Sequence, residues 1–319
     1  MATINLGLGT SHAPSLHGSP DRWDGGKRDM QGPMGGGMKM DIDIEAMVKA
    51  NGARMEKELT LEVRTARHES AWRAINTLSE VLEEMAPDVC VIIGDDTHEV
   101  FMPEDHIPAI DVFWGKELPY TPHSSRLKGD DLFMRQLSGQ PDLGRHIVES
   151  LLSDEFDVSH TRTLPEGRYI GHAFDFVYGC VMGNHPGPQV PIWLNTYYAP
   201  NQPTLKRCYA LGRSLRRAIE SWDANQKVAV IATGGMSHLL LDENLDRTML
   251  AAMQAKDEKT VTSAFPEDMF TYGTSEIRNW AVLAGAMADG PEKMELLAYE
   301  PMYRSPAATG CGCAFAYWK

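Results

Sequence analysis

Hydrophobic positions along the chain follow two periods. Short, nearly unbroken apolar runs mark strands buried on both faces: "TINLGLG" at 3–9, "DVCVIIG" at 88–94, "PQVPIWL" at 188–194 and "KVAVIAT" at 227–233. "AIDVFWG" is a shorter strand candidate, and "KMELLAYEP" and "GCGCAFAYW" are the closing strands. Between them, apolar residues recur at helical spacing over 53–85, about 142–153, 203–222, about 244–255 and about 275–288. The first of these helices ends before Pro87, and the 203–222 helix opens on a proline. Residues 17–40 are rich in Gly, Met and Pro and read as a long surface loop, a candidate lid. The segment 164–179 is irregular first and apolar afterwards.

Strands alternating with helices predict an α/β fold, a central mixed sheet with helices on both faces and an active site at the strand carboxyl ends. Neither a repeat nor a linker divides the 319 residues, so 1–319 is expected to be a single catalytic domain, with loop insertions at 17–52 and 102–130.

Composition narrows the partners. The chain is 43% hydrophobic and 23% charged, as globular proteins are, and its formal net charge is −14. That balance argues against binding nucleic acid or an anionic membrane, and an anionic ligand would need a local basic pocket. No apolar run reaches spanning length, and the N-terminus lacks the pattern of a signal peptide. Five scattered cysteines predict reduced thiols and a cytoplasmic location. Cys311 and Cys313 share a strand face, which suits either a metal or, more simply, a small-residue core.

Three histidines stand just past apolar strands: His12, His98 and His238. Ligands of open α/β sheets bind at the carboxyl ends of strands, so the shared position suggests a shared site. Two imidazoles and one carboxylate with open positions form a common iron site for oxygen chemistry. Glu276, in "TSEIRNW", is the carboxylate candidate, with Thr274 or Ser275 as helix cap. Taken alone, it would equally serve the helix dipole.

Together these segments resemble the class III extradiol ring-cleaving dioxygenases, the superfamily of the protocatechuate 4,5-dioxygenase catalytic subunit. The resemblance runs nearly end to end and is greatest to the single-chain gallate and 3-O-methylgallate type. "LGLGTSHAP" is similar to the strand whose histidine, here His12, binds iron. "TGGMSHLL" resembles the most specific motif, whose histidine, here His238, is the acid/base catalyst. "GTSEIRNWAVLAGA" is similar to the helix that supplies the glutamate ligand, Glu276, and "YIGHAFDFVYG" to the segment that brings a second active-site histidine, His172, to the substrate. One segment departs from the pattern. In the protocatechuate branch the second iron histidine directly follows an Asn-Asp pair. In "GDDTHEVF" that position is Thr97, and the histidine comes one later. Threonine is a poor iron ligand, so His98 is the expected ligand, with His68 on the long helix as the alternative.

The resemblance implies Fe(II), a catechol-type aromatic substrate and O2, in a homo-oligomer. Its vicinal hydroxyls would bind the ion after losing a proton, and a histidine with a pKa near 6.5 suits that transfer. The metal set would be His12, His98 and Glu276, with His238 and His172 catalytic. Ser11, Ser237, Arg168 and Tyr169 would face the ligands or the substrate, the last two by meeting a substrate carboxylate. Two other readings use the same residues: a zinc hydrolase with an activated water, and a binding protein whose metal site has eroded.

Overall fold

The structure is a computed structural model that describes residues 1–23, 30, 34, 35, 38, 39, 42–104, 106–120, 135–183 and 187–319. The expected lid at 17–40 and the insertions at 17–52 and 102–130 therefore lie partly outside the described residues.

The predicted apolar runs are strands, and two short strands join them in the sheet. In chain order they are β1 (Thr3–Thr10), β2 (Val89–Gly94), β3 (Ile110–Phe113), β4 (Ser159–Thr161), β5 (Gln189–Leu194), β6 (Lys227–Thr233), β7 (His238–Leu240), β8 (Met294–Tyr303) and β9 (Thr309–Trp318). They form one mixed sheet in the order β7-β9-β1-β6-β2-β5-β3-β4, with β8 paired to β9. The four central strands, β1, β6, β2 and β5, are parallel, and β9 runs antiparallel to β1. The short β4 and β7 were not predicted: three residues are too few for a periodic signal.

Successive residues of β2 and β6 feed two cores. Val89, Val91, Ile93, Val228 and Val230 point to one face, where α3 (Pro141–Ser153), α5 (Leu205–Ser221), α6 (Glu243–Gln254) and α8 (Ile277–Ala288) pack. Cys90, Ile92, Ala229 and Ile231 point to the other, covered by α2 (Leu61–Met85) and α4 (His172–Phe176). Both faces are covered, so these strands read as continuous apolar runs. The helix predicted over 53–85 is two helices, α1 (Ile44–Glu58) and α2. Thr60 makes the break by accepting the Val63 N–H at 3.3 Å as an N-cap. A short α7 (Glu258–Ser263) follows α6. Among the described residues no helix is long and apolar enough to cross a membrane.

The parallel strands all deliver their carboxyl ends to one edge of the sheet. There β1 hands over to Ser11-His12, β2 to Asp95, β5 to Asn195–Tyr197 and β6 to Gly234-Gly235. α8 starts beside them, because Trp280 donates to the Gly234 carbonyl at 2.9 Å and Asn279 to the Thr233 carbonyl at 2.8 Å.

Candidate metal centre

His12 sits at the middle of this edge and is buried. Its Nδ1 bonds to Thr233 Oγ1 at 2.9 Å, which fixes the ring and leaves Nε2 facing inward. Burial above all lowers its pKa to about 3, so the imidazole is neutral, the form that binds metals. Nε2 lies 3.7 Å from Glu276 Oε2. His12, Asp95 and His172 also each bring a ligand atom within 4.8 Å of the others, and the His12 and His172 rings meet edge to face at 4.8 Å.

Glu276 is buried and fully engaged. Tyr197 donates its hydroxyl to Oε1, and the Gly235 N–H donates to Oε2. Burial opposes its charge, but His12, His238 and Tyr197 together hold its pKa well below the carboxylate range. The Gly-Gly turn also packs closely on β9. A Cβ on Gly235 would lie 2.7 Å from Cys311 Sγ, so glycine lets the backbone that carries this N–H approach the strand. The helix cap differs from expectation. Glu276 itself takes the cap position, while Thr274 Oγ1 clasps the backbone of His238, accepting from its N–H and donating to its carbonyl, both at 2.9 Å.

His238 therefore stands on β7 beside Glu276, its Nδ1 3.7 Å from Oε1, and its side chain is 14% exposed. Burial works to lower its pKa, yet the net direction is upward. The neighbouring Cys311 thiol is itself pushed well above its usual value and stays neutral, so the Glu276 carboxylate is the charge that raises His238. Ser237 braces this strand: Asp246 accepts from its N–H and its hydroxyl, each at 2.7 Å. Ser11 does the same for β1, donating to the Gly234 carbonyl at 3.2 Å and accepting from Ala314 N–H at 3.0 Å.

The loop after β2 sends its side chains in different directions. Asp96 folds back and accepts the N–H groups of His98, Val100 and Phe101. Asp95 turns into the cluster. Glu99 grips His172 twice, accepting its N–H and its Nδ1–H at 2.9 Å each. Burial opposes charge on His172, but Glu99 outweighs it and raises the pKa to about 9. With 38% of the side chain open to solvent, water moderates that push. His98 adopts a left-handed backbone, bonds its Nδ1 to the Phe101 carbonyl at 3.2 Å and stacks on Tyr198 at 3.8 Å. The structure does not bring His98 to the cluster. It leaves His68 on α2, where Nε2 accepts from Trp72 at 3.1 Å. Arg168 reaches the Glu99 carbonyl at 3.4 Å, and Tyr169 beside it is exposed. Cys311 and Cys313 are buried in β9, in keeping with a core role.

Asp95, Glu99, Tyr197 and Asn279 went unnoticed in the sequence. Asp95 and Tyr197 each follow a buried strand, a position that ordinary turn residues share.

The donor set fits a divalent cation. Asp95 Oδ2 is buried without a hydrogen-bond partner, and burial, followed by the charge of Glu276, drives its pKa well upward. Two buried carboxylates around one neutral imidazole are stable together only with a positive ion or a retained proton.

The family description "Catalytic LigB subunit of aromatic ring-opening dioxygenase" matches residues 59–310, most of the chain. The chain belongs to this family. The matched span carries Asp95, His172, His238 and Glu276, and His12 precedes it. A gallate dioxygenase of Pseudomonas putida is 32% identical over 178 residues, 52% of this chain and 51% of that protein. The chain thus aligns with about half the length of that relative.

Proposed function

We propose that this ring-opening dioxygenase is an extradiol enzyme that uses Fe(II) and O2 to cleave a catechol-type ring beside its hydroxyls. One observation carries the reading: a buried imidazole and carboxylates gather at the sheet's carboxyl edge, with two further histidines at the rim. A ferrous ion bound there would supply Lewis acidity toward the substrate hydroxyls and the redox chemistry that lets O2 react with a ring.

The chain's own residues divide the remaining work. His12 and Glu276 hold the ion, one as a neutral imidazole and the other as a carboxylate kept ionised by Tyr197 and the Gly235 N–H. His238 takes the phenolic proton and returns it as the ring opens; its place beside Glu276, clasped by Thr274, keeps it near the substrate. His172, gripped by Glu99, presents Nε2–H to a substrate hydroxyl. Arg168 and Tyr169 stand just before it in the chain, where a substrate carboxylate would find a cation. Residues 1–319 act as one catalytic domain in this reading.

The test is anaerobic reconstitution with Fe(II), then oxygen uptake against catechols, gallates and hydroxypyridines, with mass spectrometry of the product. Uptake of one O2 per ring opened, with both atoms in the product, is the expected result. Zinc in the purified protein, with no uptake on any of these substrates, would refute it.

A further inference from the structure

We propose that Asp95 is a ligand of the ion, so that a carboxylate serves where the family resemblance calls for a second imidazole. The inference rests on the metal-dependent reading above and concerns which residues of this chain complete the site.

Three observations converge on Asp95. It is the first residue past β2, at the carboxyl edge, and is 0% exposed. Its Oδ1 accepts from Asn279 Nδ2 at 3.2 Å, a long bond from a neutral amide, while Oδ2 has no partner. That carboxylate lies within 4.8 Å of ligand atoms of His12 and His172. Glu276 and Glu99 oppose charge on it, while His172, held protonated by Glu99, favours that charge but leaves Oδ2 without a hydrogen bond. A buried carboxylate oxygen with no partner, beside the neutral His12 imidazole, has a lone pair free for a metal cation.

The loop geometry supports the exchange. Asp96 holds three backbone N–H groups, and this fold-back directs Asp95 inward and His98 outward. His98 instead rests its Nδ1 on the Phe101 carbonyl and its ring on Tyr198, outside the group of ligand atoms around His12. Asp95 needs no rearrangement of the loop. The donor set becomes His12 with two carboxylates, Asp95 and Glu276. Such a set balances the charge of a divalent ion and suits Fe(II) or Mn(II) better than softer metals.

The test is anaerobic titration of the metal-free full chain with Co(II), followed by visible and near-ultraviolet absorption. Wild type is compared with Asp95→Asn, Asp95→Cys, His98→Ala and His12→Ala. Asp95→Asn is expected to weaken Co(II) binding by more than the ~10–100-fold typical of losing an outer partner. His98→Ala should bind as wild type does, since His98 is occupied by the Phe101 carbonyl and the Tyr198 ring and touches neither the ion nor its ligands. Asp95→Cys, of similar size, should add a sulfur-to-cobalt charge-transfer band that wild type lacks, which reports ligation directly even if Asp95→Asn folds poorly. The proposal is overturned if Asp95→Asn binds as wild type and Asp95→Cys shows no such band while His12→Ala loses the metal; the metal-dependent reading would then survive. If wild type itself takes up neither Co(II) nor Fe(II), both fall.

Discussion

Gly273 offers a way to move His238 without touching it. It lies in the turn Tyr272–Glu276 that leads into α8. A Cβ there would stand 2.4 Å from Cγ and Nδ1 of His238 and 2.7 Å from its Cβ. Gly273 is not among the positive-φ glycines, so alanine adds no backbone strain and the imidazole takes the whole perturbation. Restoring an ordinary contact of about 3.4 Å pushes the ring away by about 1 Å, and a displacement of that size at a reacting group costs about 10²-fold. Overpacking costs about 1–3 kcal/mol of stability, which a domain with two extensive cores should survive. Gly273→Ala should therefore fold, bind Fe(II) stoichiometrically and bind substrate anaerobically, while kcat falls about 100-fold. The assay is oxygen uptake with metal content and thermal melting on the same preparation. A folded, iron-loaded Gly273→Ala enzyme with kcat within twofold of wild type would refute the reasoning, because either the ring is not constrained there or it does not carry the proton.

His238→Phe should keep Fe(II), measured by elemental analysis, and turn over at least ~10²-fold more slowly; loss of iron instead would make His238 a ligand. Tyr197→Phe removes the hydroxyl from Glu276 and should destabilise the metal-free protein by about 2 kcal/mol in denaturant unfolding, whereas an unchanged midpoint would mean that water replaces the bond. Asp111, 2% exposed on β3, has its pKa raised by burial from 3.8 to about 6. The folded state then holds a proton that the unfolded state has lost, so this contribution to stability is present below pH 4 and disappears as pH rises through 6. Asp111→Asn should gain up to about 3 kcal/mol at pH 8 and nothing at pH 3.5; an equal effect at both would show that packing, not charge, is responsible.

Much of the scaffold was legible because a strand covered on both faces has to be apolar along its length, and β1, β2, β5 and β6 are. The same rule placed His12 and His238 at the sheet's carboxyl edge, since whatever follows such a strand emerges there. Glu276 was legible through its helix. Asp95 was not, because an aspartate after a strand looks like an ordinary turn residue until its unpartnered oxygen is seen. His98 looked like the ligand because sequence order does not show that Asp96 binds three N–H groups and turns the next side chains apart. The break between α1 and α2 was written in Thr60, but the helical period runs through it.

The closing strand carries a consequence for biosynthesis. β9 sets Thr10 against Phe315, His238 against Cys311, and the Ser11 N–H on the Ala314 carbonyl at 3.1 Å. The segments bearing His12 and His238 are thus aligned by residues made about three hundred positions after the first of them. Ribosomes add about 5–20 residues per second, so His12 waits on the order of tens of seconds before its neighbour strand exists. Until then the nascent chain has no finished pocket in which to trap an ion. Loading with iron would follow translation, and a nonsense codon anywhere in 309–314 would yield a protein with most of its sheet but without the strand residues that align His12 and His238.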